Sequence, residues 1–416
     1  MLLRVPDYYK NFKCIADKCK DSCCIGWEID IDEDTFAYYN CVEGPFGERL
    51  RANMAEGEEN TFVLKENGRC PFLNDKNLCD ICVELGEEAL SHVCTEYPRF
   101  VTEFGDTCEK SLALSCEVVG QLVFESSRPF AYEEIRQEDY FEEVVPQEDF
   151  ADAEAADDVA DADDAEDDCD LEDADPVMIS MMEQARDRVI AILQNRKLCV
   201  EERLKTALCF GWAVQEKIVA EDWDGMKHVF AEFEADKMGD GMRMQNRAVT
   251  GKEAAHTGNA ALDDFRARIR IFEGMEVLDE EWQAARDHVK EVISGMTAEN
   301  YRTALRQFLK FYQAEGREYE YEHLCVYFLF RYCMQSVYDY NFYNHVATAA
   351  ASFLMIRDMD LVRYLDHGGQ FTLEDRIDIA RIYSKEVEHS EENLEYLCEA
   401  FCYEAVFQRE SLLRQI

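Results

Sequence analysis

The chain has 416 residues, of which 47% are hydrophobic and 12% aromatic, enough apolar material for two or three ordinary domains. Its formal net charge of −46 excludes the classes of protein that bind nucleic acid phosphates or anionic lipid surfaces through clustered Lys and Arg. The longest uninterrupted apolar run, Leu324 to Phe330, is far shorter than the roughly 20 residues that span a bilayer. We therefore expect no nucleic acid partner and no membrane partner.

The cysteines are concentrated near the N-terminus, since eleven of the eighteen lie between Cys14 and Cys116. Residues Met1 to Asp7 lack the apolar core of a secretory signal, so we expect a cytoplasmic protein. Because thiols are kept reduced in that compartment, a dense cysteine cluster indicates metal ligation and not a disulfide framework. The alternative for any single cysteine is an ordinary buried side chain.

The N-terminal part, residues 1–130, contains few predicted elements. The alternating run from Trp27 to Ile31 is typical of a strand, and the segment from Thr61 to Cys70 is predicted to be a hairpin with a glycine in its turn. Glu84 to Leu90 is predicted to begin a short helix. So few elements around so many cysteines predict a small, irregular α+β domain in which a metal centre replaces a large core.

The cysteines of this part fall into two groups in turn-rich sequence. The first is Cys14-x4-Cys19-x3-Cys23-Cys24, and the second begins Cys70-x8-Cys79-x2-Cys82 and continues with Cys94, Cys108 and Cys116. The predicted metal ligands are Cys14, Cys19, Cys23, Cys24, Cys70, Cys79, Cys94 and Cys116. Because these candidates exceed the four thiolates that one centre needs, either a second site exists or some of them only support the ligands. The remaining cysteines of the region, which fit less well, are Cys41, Cys82 and Cys108.

The identity of the metal follows less directly from the ligands. Sulfur ligands select zinc, copper(I) or iron–sulfur clusters over hard cations. Zinc ribbons usually contain two C-x2-C pairs, and only Cys79-x2-Cys82 has that spacing here. The spacing therefore favours an iron–sulfur cluster with four cysteine ligands, [4Fe-4S], and zinc is the alternative.

Residues 131–176 are predicted to form an acidic disordered linker. Residues 133 to 175 carry 22 acids against one Arg, and such a composition cannot bury enough apolar area to offset chain entropy. We expect a solvated spacer, and the alternative role is attraction of a basic partner.

Residues 177–416 are predicted to form an all-helical domain, which makes the fold mainly α. Apolar residues recur at three- and four-residue spacing in Val177 to Asn195, Glu201 to Ala220, Glu280 to Ile293 and Glu299 to Tyr312. A loop insertion is predicted at about residues 237–259, which are rich in Gly, Asn and Met. Four cysteines of this half are predicted to fill its core: Cys325, Cys333, Cys398 and Cys402.

Several motifs resemble those of the bacterial flagellin lysine N-methylases. They are Phe12 to Trp27, Cys70 to Ile81, Cys94 to Arg99, Ser115-Cys116 and Tyr383 to Asn393. The N-terminal motifs also look like a wider group of zinc- or iron-chelating cysteine-rich domains. The resemblance covers both folded halves and skips the acidic segment and the loop near residue 250.

The resemblance implies methyl transfer from S-adenosylmethionine to lysine ε-amines of flagellin, with an iron–sulfur cluster. A lysine amine has an ordinary pKa of about 10.4, so it must lose its proton before it attacks a methyl group. By position in the motif, Glu388 and His389 are the candidate catalytic residues. Arg331, Arg99 and Tyr97 are the candidate cofactor-binding residues. Arg331 lies on an apolar helix, so its guanidinium needs a hydrogen-bond acceptor if it is buried. That acceptor is either the carboxylate of the methyl donor or an acidic side chain of the protein.

Two other functions fit the cysteines without the resemblance. The first is a non-catalytic protein that chelates zinc or iron for a structural or binding role. The second is a redox sensor, in which Cys23-Cys24 and Cys79-x2-Cys82 would interconvert reversibly with disulfides. Glu388 and His389 would then only end one helix and orient the next. No glycine-rich strand-turn-helix is present, so a methyl donor would be held by the cluster or by a helical pocket.

Overall fold

A computed structural model of the chain describes residues 2–27, 29–57, 59–66, 68–136, 175–233 and 260–416. Residues 137–174 of the predicted linker and the whole predicted loop at 237–259 lie outside the described residues. In the described ranges most residues are helical and the strands are few and confined to the N-terminal part, so the predicted mainly α class is confirmed. None of the helices in these ranges is long and apolar enough to cross a bilayer.

The strands form one four-stranded sheet and one short pair. They are β1 (Leu2–Pro6), β2 (Met54–Ala55), β3 (Thr61–Phe62), β4 (Arg99–Phe104), β5 (Thr107–Leu112) and β6 (Tyr132–Arg136). The larger sheet has the order β4-β5-β1-β6, with β1 parallel to β5 and the other two pairings antiparallel. β2 and β3 pair antiparallel with each other.

Strand β6 lies within the predicted linker, which was expected to be unstructured from residue 131 onward. Its acids have partners, because the buried Arg4 of β1 donates to Glu134 of β6 and to Glu109 of β5, both at 2.8 Å. Ile135 is buried against β1. Backbone pairing and these ion pairs therefore hold the first acidic residues in the sheet, and the linker begins after β6.

The helices occur in two sets. The first set is short: α1 (Glu33–Cys41), α2 (Gly44–Ala52), α3 (Asp80–Leu85), α4 (His92–Glu96) and α5 (Glu117–Phe124). The second set is α6 (Pro176–Leu193), α7 (Val200–Val219), α8 (Trp223–Glu232), α9 (Ala260–Phe272), α10 (Glu280–Ser294), α11 (Ala298–Ala314), α12 (Glu318–Tyr332), α13 (Ser336–Asp339), α14 (Phe342–Asp366), α15 (Leu373–Glu388), α16 (Glu391–Tyr403) and α17 (Arg409–Gln415). The four helices predicted from apolar spacing, α6, α7, α10 and α11, begin and end within two residues of the prediction.

Two hydrophobic cores position the candidate site. The larger is built around α14, which is buried along most of its length and contacts α12, α7 and α15. Sheet residues such as Phe104 and Leu112, and Val119 of α5, belong to this larger core. The smaller core consists of Ile29, Ile31, Tyr39, Leu50, Phe62, Cys70, Phe72, Leu73, Ile81 and Ala89. The described residues between Ile29 and Cys94 therefore form a separate subdomain, whereas the sheet and α5 pack on the helices.

Candidate functional site

Four of the predicted metal ligands lie against the smaller core. Cys70 is buried in it, and Cys24, Cys79 and Cys94 are partly buried and pack against it. The backbone N–H of Cys70 donates to the carbonyl of Cys24 at 2.8 Å, and a β-bridge joins Leu73 to Cys79. Three loops that are distant in sequence thus bring these four thiols into one region.

These thiols need a cation to ionise together. Burial and the nearby thiols of Cys24, Cys94 and Cys79 raise the pKa of Cys70 to about 12. Burial, Cys24 and Cys79 likewise raise the pKa of Cys94 to about 12. A bound metal ion supplies the missing positive charge and deprotonates a coordinating thiol outright. The donor set therefore fits a soft metal ion or an iron–sulfur cluster.

Three other predicted ligands meet at the start of α5. Cys116 precedes this helix, and the backbone N–H groups of Val118 and Val119 donate to its sulfur. The backbone N–H of Lys20 donates to Glu117 Oε2 at 3.0 Å, which holds the loop carrying Cys14 and Cys19 on the helix. Burial, Glu117, Cys116 and Cys14 raise the pKa of Cys19 to about 12, so these groups are close.

Cys23 lies between the two groups of thiols. Its neighbours include Cys24, Cys94 and Cys14. The hydrogen bond with Cys24, together with burial, raises the pKa of Cys23, and the same hydrogen bond lowers the pKa of Cys24 to about 7 against the effect of burial. The cysteines that fit the sequence pattern less well lie apart from the candidate ligands or on the surface. Cys108 is buried in the sheet with Leu3 and Val5, and Cys41 and Cys82 are exposed.

A network of ion pairs fastens the first cysteine loop to α15. In the described part of the chain, one set of three metal-binding side chains has ligand atoms within 4.8 Å of one another: Asp21, Asp279 and Glu281. Asp21, between Cys19 and Cys23 in sequence, accepts from Arg381 at 2.7 Å and from Lys385 at 2.8 Å. Lys385 also pairs with Asp279 at 2.7 Å, and Arg381 pairs with Glu281 at 2.8 Å. We assign these carboxylates to attachment of the loop.

His389 follows α15 and is surrounded by aromatic rings. Its ring centroid lies 5.2 Å from that of Trp27 and 5.8 Å from those of Tyr97 and Phe100. His389 Nε2 and Ser115 Oγ are 2.7 Å apart, and Ser115 Oγ is 3.1 Å from Tyr97 Oη. Burial, with the positive charges of Arg331 and Lys385, lowers the pKa of His389 to about 4. The imidazole is therefore neutral at pH 7 and lies beside the residue that precedes Cys116.

Glu388 has a different environment from its neighbour His389. Its buried carboxylate accepts from Tyr327 Oη at 2.9 Å, from Tyr332 Oη at 2.8 Å and from Arg331 Nε at 3.1 Å. Ser384 Oγ also donates to it. The acceptor that Arg331 was expected to need is thus the carboxylate of Glu388. These contacts indicate that Glu388 holds Tyr327, Arg331 and Tyr332 in place.

The three candidate cofactor-binding residues lie in different surroundings. Arg331 is 9% exposed, and its guanidinium lies 3.0 Å from the ring centroid of Phe100. Arg99 lies over the ring of Phe12 at 5.4 Å, near the carbonyls of Thr95 and Glu96. Tyr97 belongs to the ring cluster around His389. The structure therefore brings Tyr97 and Arg331 close to His389.

Of the cavities among the described residues, one lies where the N-terminal part meets α12 and another lies within the helical part. The first, of about 50 Å³, is lined by Asp7, Tyr8, Leu122, Val123, Ser126, Arg128, Phe130, His323 and Tyr327. The second, of about 190 Å³, lies between α7, α11 and α12. Both are smaller than the roughly 300 Å³ at which ordinary ligand pockets begin. Neither cavity is lined by Arg331, Arg99 or Tyr97.

Three residues that contact His389 were not predicted from the sequence to be site residues: Trp27, Phe100 and Ser115. Trp27 and Ser115 lie inside the quoted motifs, and Phe100 directly follows one of them. Their positions beside Cys24, Cys116 and Arg99 are the signal that could have identified them. Contact between them depends on the approach of segments that are separated by many residues, which spacing alone does not reveal.

Comparisons with known proteins bear on the C-terminal half first. A family model described as the FliB lysine N-methylase C-terminal domain matches residues 186–414, more than half of the chain. The chain belongs to the FliB lysine N-methylase family. The resemblance to flagellin lysine N-methylases that the motifs indicated is therefore confirmed at the level of the family.

Three relatives are similar over a shorter segment. A lysine-N-methylase of Salmonella choleraesuis is 28% identical over 142 residues, which cover 31% of this chain and 34% of the relative. A lysine-N-methylase of Salmonella typhimurium is 27% identical over 142 residues, with the same coverage. The flagellar biosynthetic protein FliU of Salmonella muenchen is 28% identical over 142 residues, 80% of its length. The match thus spans about a third of each lysine-N-methylase. No solved structure matches the chain.

Proposed function

We propose that this protein transfers methyl groups from S-adenosylmethionine to lysine ε-amines of flagellin in the cytoplasm, and that the reaction depends on an iron–sulfur cluster held by its cysteines. Membership of the lysine N-methylase family supports the reaction class. The observation that carries the proposal is the meeting of two motifs at one place. The cysteine segment reaches His389 through Trp27 and Ser115.

The donor set supports a cluster of the [4Fe-4S] type. Cys70, Cys79, Cys94 and Cys24 are soft ligands close to one another, and N–H groups of Ile81 and Cys82 donate to the sulfur of Cys79. Hydrogen bonds to sulfur are one way in which a protein sets the potential of such a cluster. When bound, the cluster supplies one-electron chemistry at a thiolate-ligated iron centre.

The rings around His389 suit a cationic reactant. The faces of Trp27 and Tyr97 attract cations such as a lysine ammonium or a sulfonium, whereas Phe100 already faces the guanidinium of Arg331. Because His389 is neutral at pH 7, it does not repel a cation, and its second ring nitrogen can form a hydrogen bond with an amine. The lysine amine has to lose a proton before it attacks the methyl group, and a buried imidazole of low pKa is a weak base, so we assign to His389 the orientation of the neutral amine by a hydrogen bond.

The test uses anaerobically purified protein with its full metal content. We expect incubation with S-adenosylmethionine and the flagellin of the same organism to add whole methyl groups to lysines, as read by peptide mass spectrometry. His389→Gln should lower kcat by about a hundredfold or more, because it removes the imidazole that orients the amine and keeps a polar group near Ser115. Circular dichroism and metal content should stay as in the wild type.

The matched control is His228→Gln, since His228 is exposed on α8 and contacts its own helix at Asp224. We expect wild-type kcat from this control. If metal-replete wild-type protein adds no methyl group and calorimetry detects no binding of S-adenosylmethionine, the proposal is wrong. The chain would then be a non-catalytic zinc- or iron-chelating protein.

A further inference from the structure

We propose that the cavity of about 50 Å³ beside α12 is a second binding site for a lysine side chain, and that it takes an ammonium group with free N–H bonds. The cavity lies where Asp7, Tyr8 and the segment from Ser126 to Phe130 meet α12. No ring that surrounds His389 lines it, so it is distinct from the candidate reaction site. The inference rests on the proposed function in one respect, namely that the partner is a protein substrate with lysines.

His323 of α12 supplies an acceptor without a donor. Its Nδ1 lies 2.7 Å from the carbonyl oxygen of Val123, and because a carbonyl can only accept, Nδ1 carries the proton. Burial lowers the pKa of His323, so the imidazole is neutral at pH 7 and Nε2 keeps its lone pair. His323 is 7% exposed, and Nε2 has no hydrogen-bond partner among the described residues. Since a buried acceptor without a donor is unfavourable, we expect the occupant to donate to it.

Other acceptors surround the same space. The carboxylate of Asp7 lines the cavity, and the carbonyl of Arg128 lies near the imidazole of His323. Glu322 Oε1 is 4.0 Å from His323 Nε2, but two arginines already pair with this carboxylate. A ligand that satisfies several acceptors at once has to carry several donors, as an ammonium group does.

The apolar part of the lining is aromatic. The rings of Tyr8, Phe130 and Tyr327 line the cavity, and the centroids of Tyr8 and Phe130 are 6.5 Å apart. Aromatic rings attract ammonium groups at their faces. The volume exceeds the roughly 10–15 Å³ that holds one water molecule, so it admits an ammonium group with its adjoining methylene. Acceptors and rings together therefore favour a cationic donor over a neutral or anionic ligand.

Arg128 is the one lining residue that opposes a cation. Its side chain is exposed, and its Nε donates to Ser126 Oγ at 3.4 Å. Burial raises the pKa of Asp7, and the positive charge of Arg128 opposes that shift. Arg128 therefore gives the test its sign, because its removal should strengthen the binding of a cation and weaken that of an anion.

The position of the cavity suits a docking role. Tyr327 lines it and donates to Glu388, the residue before His389, so the cavity and the candidate reaction site are connected through two side chains. A substrate with several lysines can place one in the cavity and another at His389. The formal net charge of −46 attracts such a basic partner.

The experiment measures binding of n-butylammonium, which represents the lysine side chain, to the full-length holoprotein by saturation-transfer NMR. The buffer contains about 0.15 M salt, which screens exposed charges beyond about 8 Å. We expect n-butylammonium to bind more tightly than butyltrimethylammonium, which has no N–H to donate. Butyrate and n-butanol should bind more weakly still.

Variants locate the binding. Asp7→Asn and His323→Asn should each weaken it about tenfold or more, and His323→Asn keeps an N–H for Val123 while it removes the Nε2 acceptor. Arg128→Gln should strengthen it. The matched control is Asp224→Asn, which removes one acid from an exposed position on α8 and should bind as the wild type does. If His323→Asn fails to fold, the Asp7 and Arg128 variants still decide.

The lysine itself is tested with a flagellin peptide. A peptide with free lysines should displace n-butylammonium, and the same peptide with acetylated lysines should not. Tighter binding of butyrate than of n-butylammonium, weaker binding of n-butylammonium to Arg128→Gln, unchanged affinity in Asp7→Asn or equal displacement by both peptides would each overturn the inference. These measurements do not use methyl transfer. Binding without methylation would refute the proposed function alone, and methylation without binding would refute the docking site alone.

Discussion

Glu388 illustrates how a charged residue in a family motif can serve the fold. Its carboxylate is buried and holds two tyrosine hydroxyls and the guanidinium of Arg331. Tyr327 in turn accepts the backbone N–H of Leu114, next to Ser115. Glu388 therefore acts through other residues and positions the segment that reaches His389.

Replacement of Glu388 by Gln should lower the free energy of unfolding by about 3–5 kcal/mol, because it leaves the guanidinium of Arg331 without its buried countercharge. Urea unfolding of the holoprotein measures this change. Glu392→Gln, at an exposed position in the first turn of α16, is the control and should alter stability little. A Glu388 variant with unchanged stability and reduced kcat would assign Glu388 to the chemistry instead.

The helical-half cysteines mark a limit of residue-level prediction. Cys325 and Cys333 are fully buried, as predicted, because they lie on helix faces that contact the larger core. The prediction for Cys398 and Cys402 is wrong, since both are exposed. They lie four residues apart on one side of α16, and its other side buries Leu397 and Phe401. Composition could not distinguish them, although their helical spacing could have done so.

At the scale of elements, α15 connects several features of the site. A capping box of Thr372 and Asp375 begins the helix, and Glu388 ends it. Between them, Glu386 accepts from the backbone N–H groups of Leu278 and Asp279, just before α10. Burial raises the pKa of Glu386 to about 7, so the fold favours its protonated form.

This pKa shift predicts a pH dependence of stability. The pKa of Glu386 in the fold, about 7, exceeds its ordinary value of 4.5, so its stabilising contribution is complete below about pH 4.5. As pH rises from about 4.5 through 7, this carboxyl ionises more easily in the unfolded state than in the fold. The free energy of unfolding therefore falls by up to roughly 3 kcal/mol. Glu386→Gln should remove this loss.

The measurement compares the unfolding free energies of holoprotein at pH 5.5 and pH 8. We expect the difference between the two pH values to shrink in Glu386→Gln and to persist in the Glu392→Gln control. An unchanged difference in the Glu386 variant would show that other groups cause it. The metal content has to be equal at both pH values, because thiolate ligands also bind protons.

Element prediction succeeded where the signal was local. Long amphipathic helices such as α7 can be predicted from the spacing of their apolar residues. The helix predicted to run from Glu84 towards Cys94 is not continuous, because Gly86 adopts a φ of +101° and ends α3, and α4 then ends before Pro98. Strand β6 was missed because its partner β1 is more than a hundred residues away, and the acids of β6 suggest a solvated chain.

At the scale of the whole molecule, the site lies where two separately built parts meet. The smaller core carries Cys24, Cys70, Cys79 and Cys94. Cys116 packs against the larger core, to which α15 belongs, and His389 follows that helix. The family model matches only the C-terminal part of this arrangement. The sequence showed both sets of residues but could not show their meeting, because no local pattern encodes a contact between Trp27 and His389.

The ion pairs at Asp21 attach the cysteine loop to α15, in addition to the hydrogen bond between Lys20 and Glu117. Asp21→Asn should remove the negative charge with which both Arg381 and Lys385 pair. Hydrogen bonds to charged groups contribute about 1.5–3 kcal/mol, so amide exchange in residues 14–27 should accelerate by about tenfold or more. Hydrogen exchange of the holoprotein, followed by mass spectrometry, measures this effect.

The effect should stay local, because both cations keep other partners. Lys385 remains paired with Asp279, and Arg381 remains paired with Glu281. Exchange in α14 should therefore be unchanged, since this helix forms the centre of the larger core. Asp17→Asn is the control, because Asp17 is exposed in the same loop. Equal exchange in residues 14–27 of the Asp21 variant and the wild type would contradict attachment of the loop by this network.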